Sequence, residues 1–374
     1  TVKGGEKFHL VATTANMGSL KGKYAITSNF PLNFHAMLLK LESSQDIGFG
    51  YYTDSADLQI TVDWPEEAVI EITKKDGDTG KNLAGAVYGV YSDNACTKLI
   101  AKMPPTDSNG SSRVTLTKTQ DTVYLKEITA PEGYVVQASS YGVKLVVGST
   151  TKQTVTDKEQ KGNLTVYKEG EVFVGAVSDE NGTSFQYEKR RQKGAVYNVY
   201  AAEDIVTAGG KTVYKKGAEV AKNLITGENG SVTVKNLPLG SYNVTEAQAP
   251  ENFYNAKETK KVTISYAGQT AEAAFSETTF TNDRQKAVVQ VIKKDKDTEN
   301  TLSGGHFALF AAQDMKTVDG KVAVKKDALI ETAITGTDGK AAFKADLPVG
   351  FSYYVKEVQA PAGYVRNEKD TYSF

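Results

Sequence analysis

The stretch VYLKEITAPEGYV at residues 123–135 recurs twice further along the chain, as YNVTEAQAPENFY at 242–254 and YYVKEVQAPAGYV at 353–365. Each copy runs from alternating apolar residues through a glutamate to Ala-Pro and then to a turn that ends in an aromatic residue. Three such matches are not expected by chance in a chain of 374 residues. The chain is therefore built from three copies of one unit.

The segments that precede these stretches also repeat, and they have the pattern of β-strands. VIEITKKDGDTGKNLAGAVYGVY at 69–91 aligns with VVQVIKKDKDTENTLSGGHFALF at 288–310. The middle copy begins with NLTVYKEGE at 163–171 and reaches the matching GAVYNVY at 194–200 only after an insertion. Asn-Gly or Asp-Gly turns followed by alternating apolar and polar residues are typical of β-hairpins. The sequence therefore predicts an all-β fold.

The repeats also predict the domain boundaries. We expect a first repeat at 68–160, a second at 161–284 with an insertion near 176–193, and a third at 285–374 that lacks its last strand. Residues 1–67 share none of the motifs, and we interpret them as the C-terminal part of a preceding β-rich domain. Repeats of this length are typical of tandem immunoglobulin-like β-sandwiches in an elongated rod.

The composition argues against several other classes of protein. The 44 basic and 45 acidic residues nearly cancel, which leaves no electrostatic basis for binding nucleic acid. No apolar run approaches the roughly 18–20 residues that a membrane span needs. Cys96 is the only cysteine and there are three histidines, so the chain has too few of these residues to favour a zinc cluster or a catalytic triad. We therefore expect no enzyme, no cofactor and no metal.

A lysine and a glutamate fall on the buried face of each repeat. Successive side chains of a strand point to opposite faces, so Lys74 shares the apolar face of Ile70 and Ile72. Glu127 follows Leu125 in the same alternation. The equivalent pairs in the other repeats are Lys168 with Glu246 and Lys293 with Glu357.

The last strands of the first two repeats add a third polar group. TKQTVTDKEQK at 151–161 aligns with ETTFTNDRQK at 277–286, and this alignment matches Asp157 with Asn282. A buried ammonium or carboxylate costs several kcal/mol unless it is paired or neutralised. Burial lowers the pKa of a lysine and raises that of a carboxyl group, so a neutral amine can stand beside a protonated glutamic acid.

This chemistry predicts an amide cross-link in each of the first two repeats. A neutral lysine amine can attack the side-chain carbonyl of the Asp or Asn, while the protonated glutamic acid polarises that carbonyl and transfers protons. Lys74 with Asp157 would lose water, and Lys168 with Asn282 would lose ammonia. A structural salt bridge between lysine and glutamate is the alternative.

Two further points limit the prediction. Lys75 and Lys294 are adjacent rival nucleophiles, but the alternation places both on the outward face. The third repeat reaches Phe374 without a last strand or a matching Asp or Asn. We therefore predict that Lys293 has no cross-linking partner in this chain.

The repeated motifs resemble those of a known family. EITAPEGY at 127–134 and EVQAPAGY at 357–364 resemble the E-box of Gram-positive surface proteins, and the Lys-Asp-x-x-Thr…Leu-x-Gly-Ala opening is similar to the start of their Cna B-type domains. The resemblance implies reversed immunoglobulin-like sandwiches, found in sortase-assembled pilins and adhesin stalks, that form intramolecular isopeptide bonds. In these roles Glu127 and Glu246 would promote the bonds, and Glu357 would be equivalent but without a partner.

The expected function is that of a structural protein on the surface of a Gram-positive bacterium, a pilin or an adhesin stalk, extracellular on the cell wall or pilus. Its implied partners are sortase-linked pilin subunits or the cell wall. The alternative is an adhesin module that binds a host protein or glycan through residues 1–67 or the 176–193 insertion. The insertion holds Phe185 and Tyr187 next to basic residues, which would suit an aromatic and basic contact site.

Overall fold

The structure is a computed structural model that describes residues 8–12, 56–60 and 66–374. Within these residues it contains strands and turns but no α-helix. Strand β1 (Phe8–Ala12) pairs antiparallel with β2 (Ala56–Ile60). The remainder of the predicted domain at 1–67 lies outside the described residues.

The first repeat consists of two facing sheets. One has the strand order β6-β3-β9 and the other β5-β4-β7-β8. The central strand β3 runs antiparallel to β6 and parallel to β9, so the first and last strands of the repeat are neighbours. The inner faces bury apolar side chains such as Ile72, Leu125 and Val155. The strands are β3 (Glu67–Asp76), β4 (Val87–Tyr91), β5 (Leu99–Lys102), β6 (Ser111–Thr117), β7 (Thr122–Thr129), β8 (Ser140–Lys144) and β9 (Thr150–Asp157).

The second repeat has the same arrangement with a longer first strand. Its sheets have the orders β11-β10-β16, with β19 parallel to β10, and β15-β12-β17-β18. The strands are β10 (Lys161–Asp179), β11 (Gly182–Arg191), β12 (Val196–Ala201), β15 (Glu219–Ile225), β16 (Ser231–Pro238), β17 (Gly240–Gln248), β18 (Thr259–Ile264) and β19 (Ala273–Asn282). A small ribbon joins β13 (Ile205–Val206) to β14 (Thr212–Tyr214).

In the third repeat the first strand has a neighbour on one side. Among the described residues, β20 pairs only with β25, whereas the facing sheet has the order β24-β21-β26-β27. The strands are β20 (Ala287–Ile292), β21 (His306–Ala311), β24 (Leu329–Ile334), β25 (Lys340–Leu347), β26 (Tyr353–Gln359) and β27 (Thr371–Ser373), with a ribbon of β22 (Met315–Lys316) and β23 (Val322–Val324). The predicted fold class, tandem all-β immunoglobulin-like sandwiches, is confirmed.

The insertion of the second repeat is a β-hairpin that packs on the third repeat. β10 continues past the sandwich, and its second half pairs with β11. Phe173 in this extension is buried in the apolar core of the third repeat, with its ring centroid 5.8 Å from those of Phe185 and Phe351. At the tip, Gly182 approaches the third repeat so closely that a Cβ there would collide with the carbonyl oxygen of Ile330. The hairpin thus completes the core of its neighbour.

Polar contacts hold the same interface. The Tyr187 hydroxyl donates a 2.6 Å hydrogen bond to the main-chain carbonyl of Asp346. The Arg284 guanidinium lies 3.6 Å from the centre of the Tyr187 ring and forms an ion pair with the Asp346 carboxylate. Phe185 and Tyr187, the aromatic residues of the predicted contact site in the insertion, are half-buried against the third repeat. Binding of a host protein or glycan by this insertion stays a prediction.

Candidate functional site

In the first repeat, three strands bring Lys74, Glu127 and Asp157 together. Lys74 Nζ lies 2.7 Å from Glu127 Oε1 and also contacts a carboxylate oxygen of Asp157. The side chains of Lys74 and both acids are fully shielded from solvent. The Tyr88 hydroxyl accepts a 2.9 Å hydrogen bond from the same amine. We call the Lys74, Glu127 and Asp157 cluster the first site.

Burial and neighbouring charges set the protonation of the first site. Burial raises the pKa of Asp157 to about 7, although the Lys74 amine opposes the rise. Burial also raises the pKa of Tyr88, so its phenol keeps its proton. The backbone nitrogen of Gln137 donates a 2.8 Å hydrogen bond to Glu127 Oε2, which fixes the orientation of that carboxylate. Near neutral pH, a large fraction of Asp157 is consequently protonated and uncharged.

In the second repeat, Lys168, Glu246 and Asn282 form the equivalent cluster, which we call the second site. Lys168 Nζ is 2.9 Å from Glu246 Oε1, and Asn282 Nδ2 donates a 2.7 Å hydrogen bond to Glu246 Oε2. Asn282 Oδ1, the carbonyl oxygen that the glutamic acid was predicted to polarise, is buried and has no hydrogen-bond partner among the described residues. Glu246 contacts the amide nitrogen instead. Burial lowers the pKa of Lys168, although the Glu246 carboxylate opposes this effect. Burial therefore shifts the protonation equilibrium of this amine toward its neutral, nucleophilic form.

The two sites share one strand register. In the parallel pair β3 and β9, Lys74 lies opposite Val155, and Asp157 is two residues further along. In the pair β10 and β19, Lys168 lies opposite Phe280, and Asn282 is again two residues further. In both repeats a buried apolar residue thus faces the lysine across the sheet. The side chain of Asp157 contacts the Lys74 amine, and that of Asn282 contacts Glu246, which pairs with Lys168.

Two tyrosines belong to these sites although the sequence analysis did not single them out. Tyr88 contacts Lys74, and the Tyr197 hydroxyl donates a 3.5 Å hydrogen bond to Glu246 Oε1. Both occupy the fourth position of a Gly-Ala-Val-Tyr sequence that occurs in the first two repeats. This repetition is the feature of the sequence that could have pointed to them. The third repeat has Phe307 at this position and therefore lacks the hydroxyl.

In the third repeat, Lys293 and Glu357 form a pair without a third partner. Lys293 Nζ lies 3.0 Å from Glu357 Oε1, but 25% of the lysine side chain is exposed to solvent, against none for Lys74 and Lys168. No Asp or Asn side chain in the part of the chain that the structure describes forms an ion pair or hydrogen bond with Lys293. The rival Lys294 is exposed and pairs with Glu299 at 3.1 Å.

The cysteine, the potential metal ligands and the hydropathy of the chain add no further site among the described residues. The Cys96 thiol is free, and its Sγ lies 3.7 Å from the carbonyl oxygen of Asn94. No cluster of three or more His, Cys, Asp or Glu side chains in the described ranges is arranged to hold a metal ion. Among the same residues, no helix has the length and apolar character required to cross a membrane.

Comparison with known sequences identifies the family. The SpaA prealbumin-like fold domain matches three segments, at 68–160, 181–279 and 287–374. These segments cover most of the chain, and the chain belongs to the SpaA prealbumin-like fold domain family. No curated protein sequence matches it.

Comparison with solved structures found one protein of similar fold and several more distant matches. The TIE protein of Bacillus anthracis aligns over 86% of this chain and 52% of its own, with 24% identity and a TM-score of 0.52. This chain therefore spans about half the length of that protein. BcpA, the major pilin subunit of Bacillus cereus, aligns over 82% of this chain and 94% of its own, with 15% identity and a TM-score of 0.32. A streptococcal ancillary pilin aligns over 83% and 95%, with 17% identity and a TM-score of 0.26.

Proposed function

We propose that this chain is a structural protein of a Gram-positive cell surface, a pilin or an adhesin stalk, whose first and second repeats are each tied by a self-generated isopeptide bond. The observation that supports the proposal most is that a buried lysine, glutamate and Asp or Asn occur together in two repeats, in the same strand register. Stability alone gives little reason to bury such clusters twice, because apolar residues in their place would cost less.

In the second site, Glu246 contacts both nitrogen atoms that take part in amide exchange, the Lys168 amine and the Asn282 amide. The neutral Lys168 amine attacks Asn282 Cγ, and a new bond between Nζ and Cγ forms. Glu246 takes the proton that the amine loses and delivers it to Nδ2, with which it is already hydrogen bonded at 2.7 Å. The bond between Cγ and Nδ2 then breaks, ammonia leaves, and Glu246 returns to its starting state.

In the first site, the same reaction uses a carboxylic acid. Burial raises the pKa of Asp157 to about 7, so this acid is available in its protonated form. The Lys74 amine attacks the carboxyl carbon of that acid and a bond between Nζ and Cγ forms. Glu127, 2.7 Å from the amine, takes the proton that the amine loses and passes it to the hydroxyl oxygen, which leaves as water. Each reaction happens once per site. We therefore assign no turnover to the protein.

The position of the bonds explains what they would do for a structural protein. Each bond joins the first strand of a repeat to its last strand, which lie side by side and parallel. Tension applied at the two ends of a repeat shears these strands past each other, and an amide between them resists that motion covalently. A cross-link of this kind also restricts the conformations of the unfolded chain, as a disulfide does. The chain has a single cysteine and so cannot form a disulfide within itself.

The resemblance in sequence supports a cellular location and a class of partner for this protein. Similarity to sortase-assembled surface proteins supports an extracellular position on the cell wall or pilus, with other pilin subunits or the cell wall as partners. The SpaA prealbumin-like fold domain matches a segment of each repeat, which supports the tandem-domain fold that this assignment needs. Binding of a host protein or glycan through residues 1–67 or the 176–193 insertion stays a prediction.

Single-molecule pulling on the two ends of the chain tests the structural role. We expect no extension from the segments enclosed by the two cross-links, even at forces that unfold the third repeat. The double variant Lys74→Ala, Lys168→Ala should release both segments and add their contour length. Full extension of all three repeats in the unaltered protein would rule out the proposed function.

A further inference from the structure

One position that faces each cross-linking site carries an uncharged side chain in the first repeat and a cation in the second. In the antiparallel pair β7 and β8, Tyr141 lies opposite Leu125, two residues before the glutamate of the first site. In the equivalent pair β17 and β18, Lys260 lies opposite Val244, two residues before the glutamate of the second site. Leu125 and Val244 are fully buried, and residues opposite each other share a face of the sheet. Tyr141 and Lys260 therefore face the interior, where both are half-buried.

Tyr141 adds no charge to the first site. Its side chain packs against the apolar core of the first repeat. Burial and the carboxylates of Asp157 and Glu127 raise the pKa of its phenol, although Ser139 opposes the rise. Burial also raises the pKa of Tyr88, which contacts the lysine of the site. Both phenols consequently keep their protons and stay neutral.

The first site therefore holds two carboxyl groups against one amine. Among the described residues, the charged groups that act on the pKa of Asp157 are the Lys74 amine and the Glu127 carboxylate. Burial outweighs the effect of the amine and raises this pKa to about 7. A second cation would stabilise the ionised form of Asp157. An ionised carboxylate has no hydroxyl oxygen that could leave as water, so the lack of a second cation keeps Asp157 reactive.

Lys260 is held against the last strand of the second repeat. Its Nζ donates a 2.7 Å hydrogen bond to the main-chain carbonyl of Thr279. The same nitrogen lies 5.0 Å from the centre of the Phe280 ring, and Phe280 is the residue opposite Lys168. A positive charge thus lies beside the strand that carries the acceptor.

An amide acceptor tolerates this charge. Burial lowers the pKa of Lys168, and the charge of Lys260 acts in the same direction, while the carboxylates of Glu246 and Glu258 oppose both effects. Glu258 lies 3.4 Å from Lys260 and screens part of its charge. Asn282 has no carboxyl proton to lose, so a neighbouring cation leaves its reactive form unchanged.

We propose that this position selects the acceptor of each cross-link: the uncharged Tyr141 allows Asp157 to react as an acid, whereas Lys260 suits the amide of Asn282. The inference rests on the proposed function, because it concerns which side chain reacts with the lysine. In both sites the amine nitrogen bonds to the acceptor Cγ and its proton passes through the glutamate to the leaving group. Water leaves from Asp157 and ammonia from Asn282. Neither Tyr141 nor Lys260 takes part in bond formation.

The variant Tyr141→Arg tests the inference without adding a rival amine, since a guanidinium stays charged. The complete chain would be made by cell-free synthesis, translation stopped, and intact mass followed over time under denaturing conditions. At about pH 8, we expect the first site of Tyr141→Arg to lose water at least about tenfold more slowly than that of Tyr141→Met, because a nearby opposite charge lowers a carboxyl pKa by about 1–3 units. The difference should narrow at about pH 6, and ammonia loss from the second site should be equal in both variants.

Matched double variants separate charge from damage to the packing. With Asp157→Asn, the first site has an amide acceptor, so Tyr141→Arg and Tyr141→Met should both lose two molecules of ammonia at similar rates. The second site provides the reciprocal test. Lys260→Met should speed the loss of water in Asn282→Asp, because the acid then keeps its proton more readily, but it should not speed the loss of ammonia from Asn282.

A titration measures the same effect without the bond. In Lys74→Met, which cannot form the first cross-link, carbon-13 NMR of labelled aspartate carboxyl groups would follow Asp157. Its signal would be assigned through Asp157→Asn. Tyr141→Arg should lower the pKa of Asp157 by about one unit or more.

Three results would overturn the inference. One is equal rates of water loss in Tyr141→Arg and Tyr141→Met. Another is equal slowing by arginine when the acceptor is Asp157 and when it is Asn, which would mean that arginine disturbs the packing. The third is an unchanged pKa of Asp157 in the titration. Each leaves the proposed function standing if the unaltered protein loses one water and one ammonia, whereas an unaltered protein that loses neither refutes both.

Discussion

Asn282 Nδ2 donates a 2.7 Å hydrogen bond to Glu246 Oε2, so the amide nitrogen that would leave during cross-linking already touches the carboxyl group that would protonate it. The other oxygen of Glu246 lies 2.9 Å from Lys168 Nζ. One carboxyl group therefore bridges the nucleophile and the leaving group, which is the arrangement that a proton relay requires.

The variant Glu246→Gln tests this relay. A glutamine keeps the shape of the side chain but cannot take a proton from Lys168 and pass it to Asn282. We expect the variant to keep the water loss of the first site and to lack the ammonia loss of the second site in its intact mass. Glu258→Gln alters a nearby carboxylate that also acts on the charge of Lys168 and should leave both losses in place. Ammonia loss in Glu246→Gln would contradict the assigned role.

Asp157 predicts a pH dependence in a protein that cannot form the first bond. In Lys74→Met, Asp157 stays buried and loses the amine that opposes the rise of its pKa, so the folded-state pKa stays above the ordinary value of 3.8. A carboxyl with a raised folded pKa favours the folded state most at low pH, and this contribution is lost as pH rises from about 4 past 7. Each unit between the folded and unfolded pKa values corresponds to about 1.4 kcal/mol.

We therefore expect the melting temperature of Lys74→Met to fall across that pH range. The measurement is a series of thermal unfolding curves in matched buffers. The double variant Lys74→Met, Asp157→Asn removes the titrating group and should show a flatter profile. Identical profiles for the two proteins would show that Asp157 does not titrate in this range.

Loss of the second bond should lower stability strongly. Lys168→Met removes a cross-link that closes a loop of more than 100 residues, and a disulfide that closes such a loop contributes about 4–5 kcal/mol in the chain-entropy account. We expect a loss of that order in the free energy of unfolding of the second repeat, measured by denaturant titration. Lys193→Met, which removes an exposed ion pair with Glu228, should change it by less than about 1 kcal/mol. Equal effects of the two substitutions would argue against a covalent tie.

The β10 and β11 hairpin should stabilise the third repeat. Phe173 is 8% exposed and belongs to the core of that repeat, so Phe173→Ala should cost about 3–5 kcal/mol. Val177, on the same hairpin, is 58% exposed and provides a matched control in Val177→Ala. Calorimetry should show a lower transition temperature for the third repeat in Phe173→Ala only, with both mass losses unchanged. A third repeat that melts normally would mean that the hairpin adds no stability.

Much of this structure could be predicted from strand alternation. Because side chains alternate with a period of two, the apolar faces of β3, β10 and β20 fix the inward direction of Lys74, Lys168 and Lys293. The repeated Ala-Pro turn likewise fixed the position of each glutamate. The alignment of Asp157 with Asn282 rested on a shared Gln-Lys ending. The structure places Asp157 in contact with Lys74, and Asn282 in contact with Glu246, the glutamate that pairs with Lys168.

Other features of the structure could not be predicted from the sequence alone. The insertion contains an Asn-Gly turn between two alternating runs, which is a hairpin signal, but alternation cannot say against what a hairpin packs. Phe173, Phe185 and Tyr187 face the third repeat because β10 continues without interruption from one repeat toward the next. The contacts of Tyr88 and Tyr197 likewise needed the structure, since a sequence shows an aromatic ring but not the group that its hydroxyl reaches.

The intact mass of the complete, unaltered chain under denaturing conditions tests the central claim most directly. If both bonds form, the mass is lower than the sequence mass by one ammonia and one water, and peptide mapping finds Lys74 joined to Asp157 and Lys168 joined to Asn282. A mass equal to that of the sequence would show that these clusters are buried ion pairs and that the repeats carry no covalent tie.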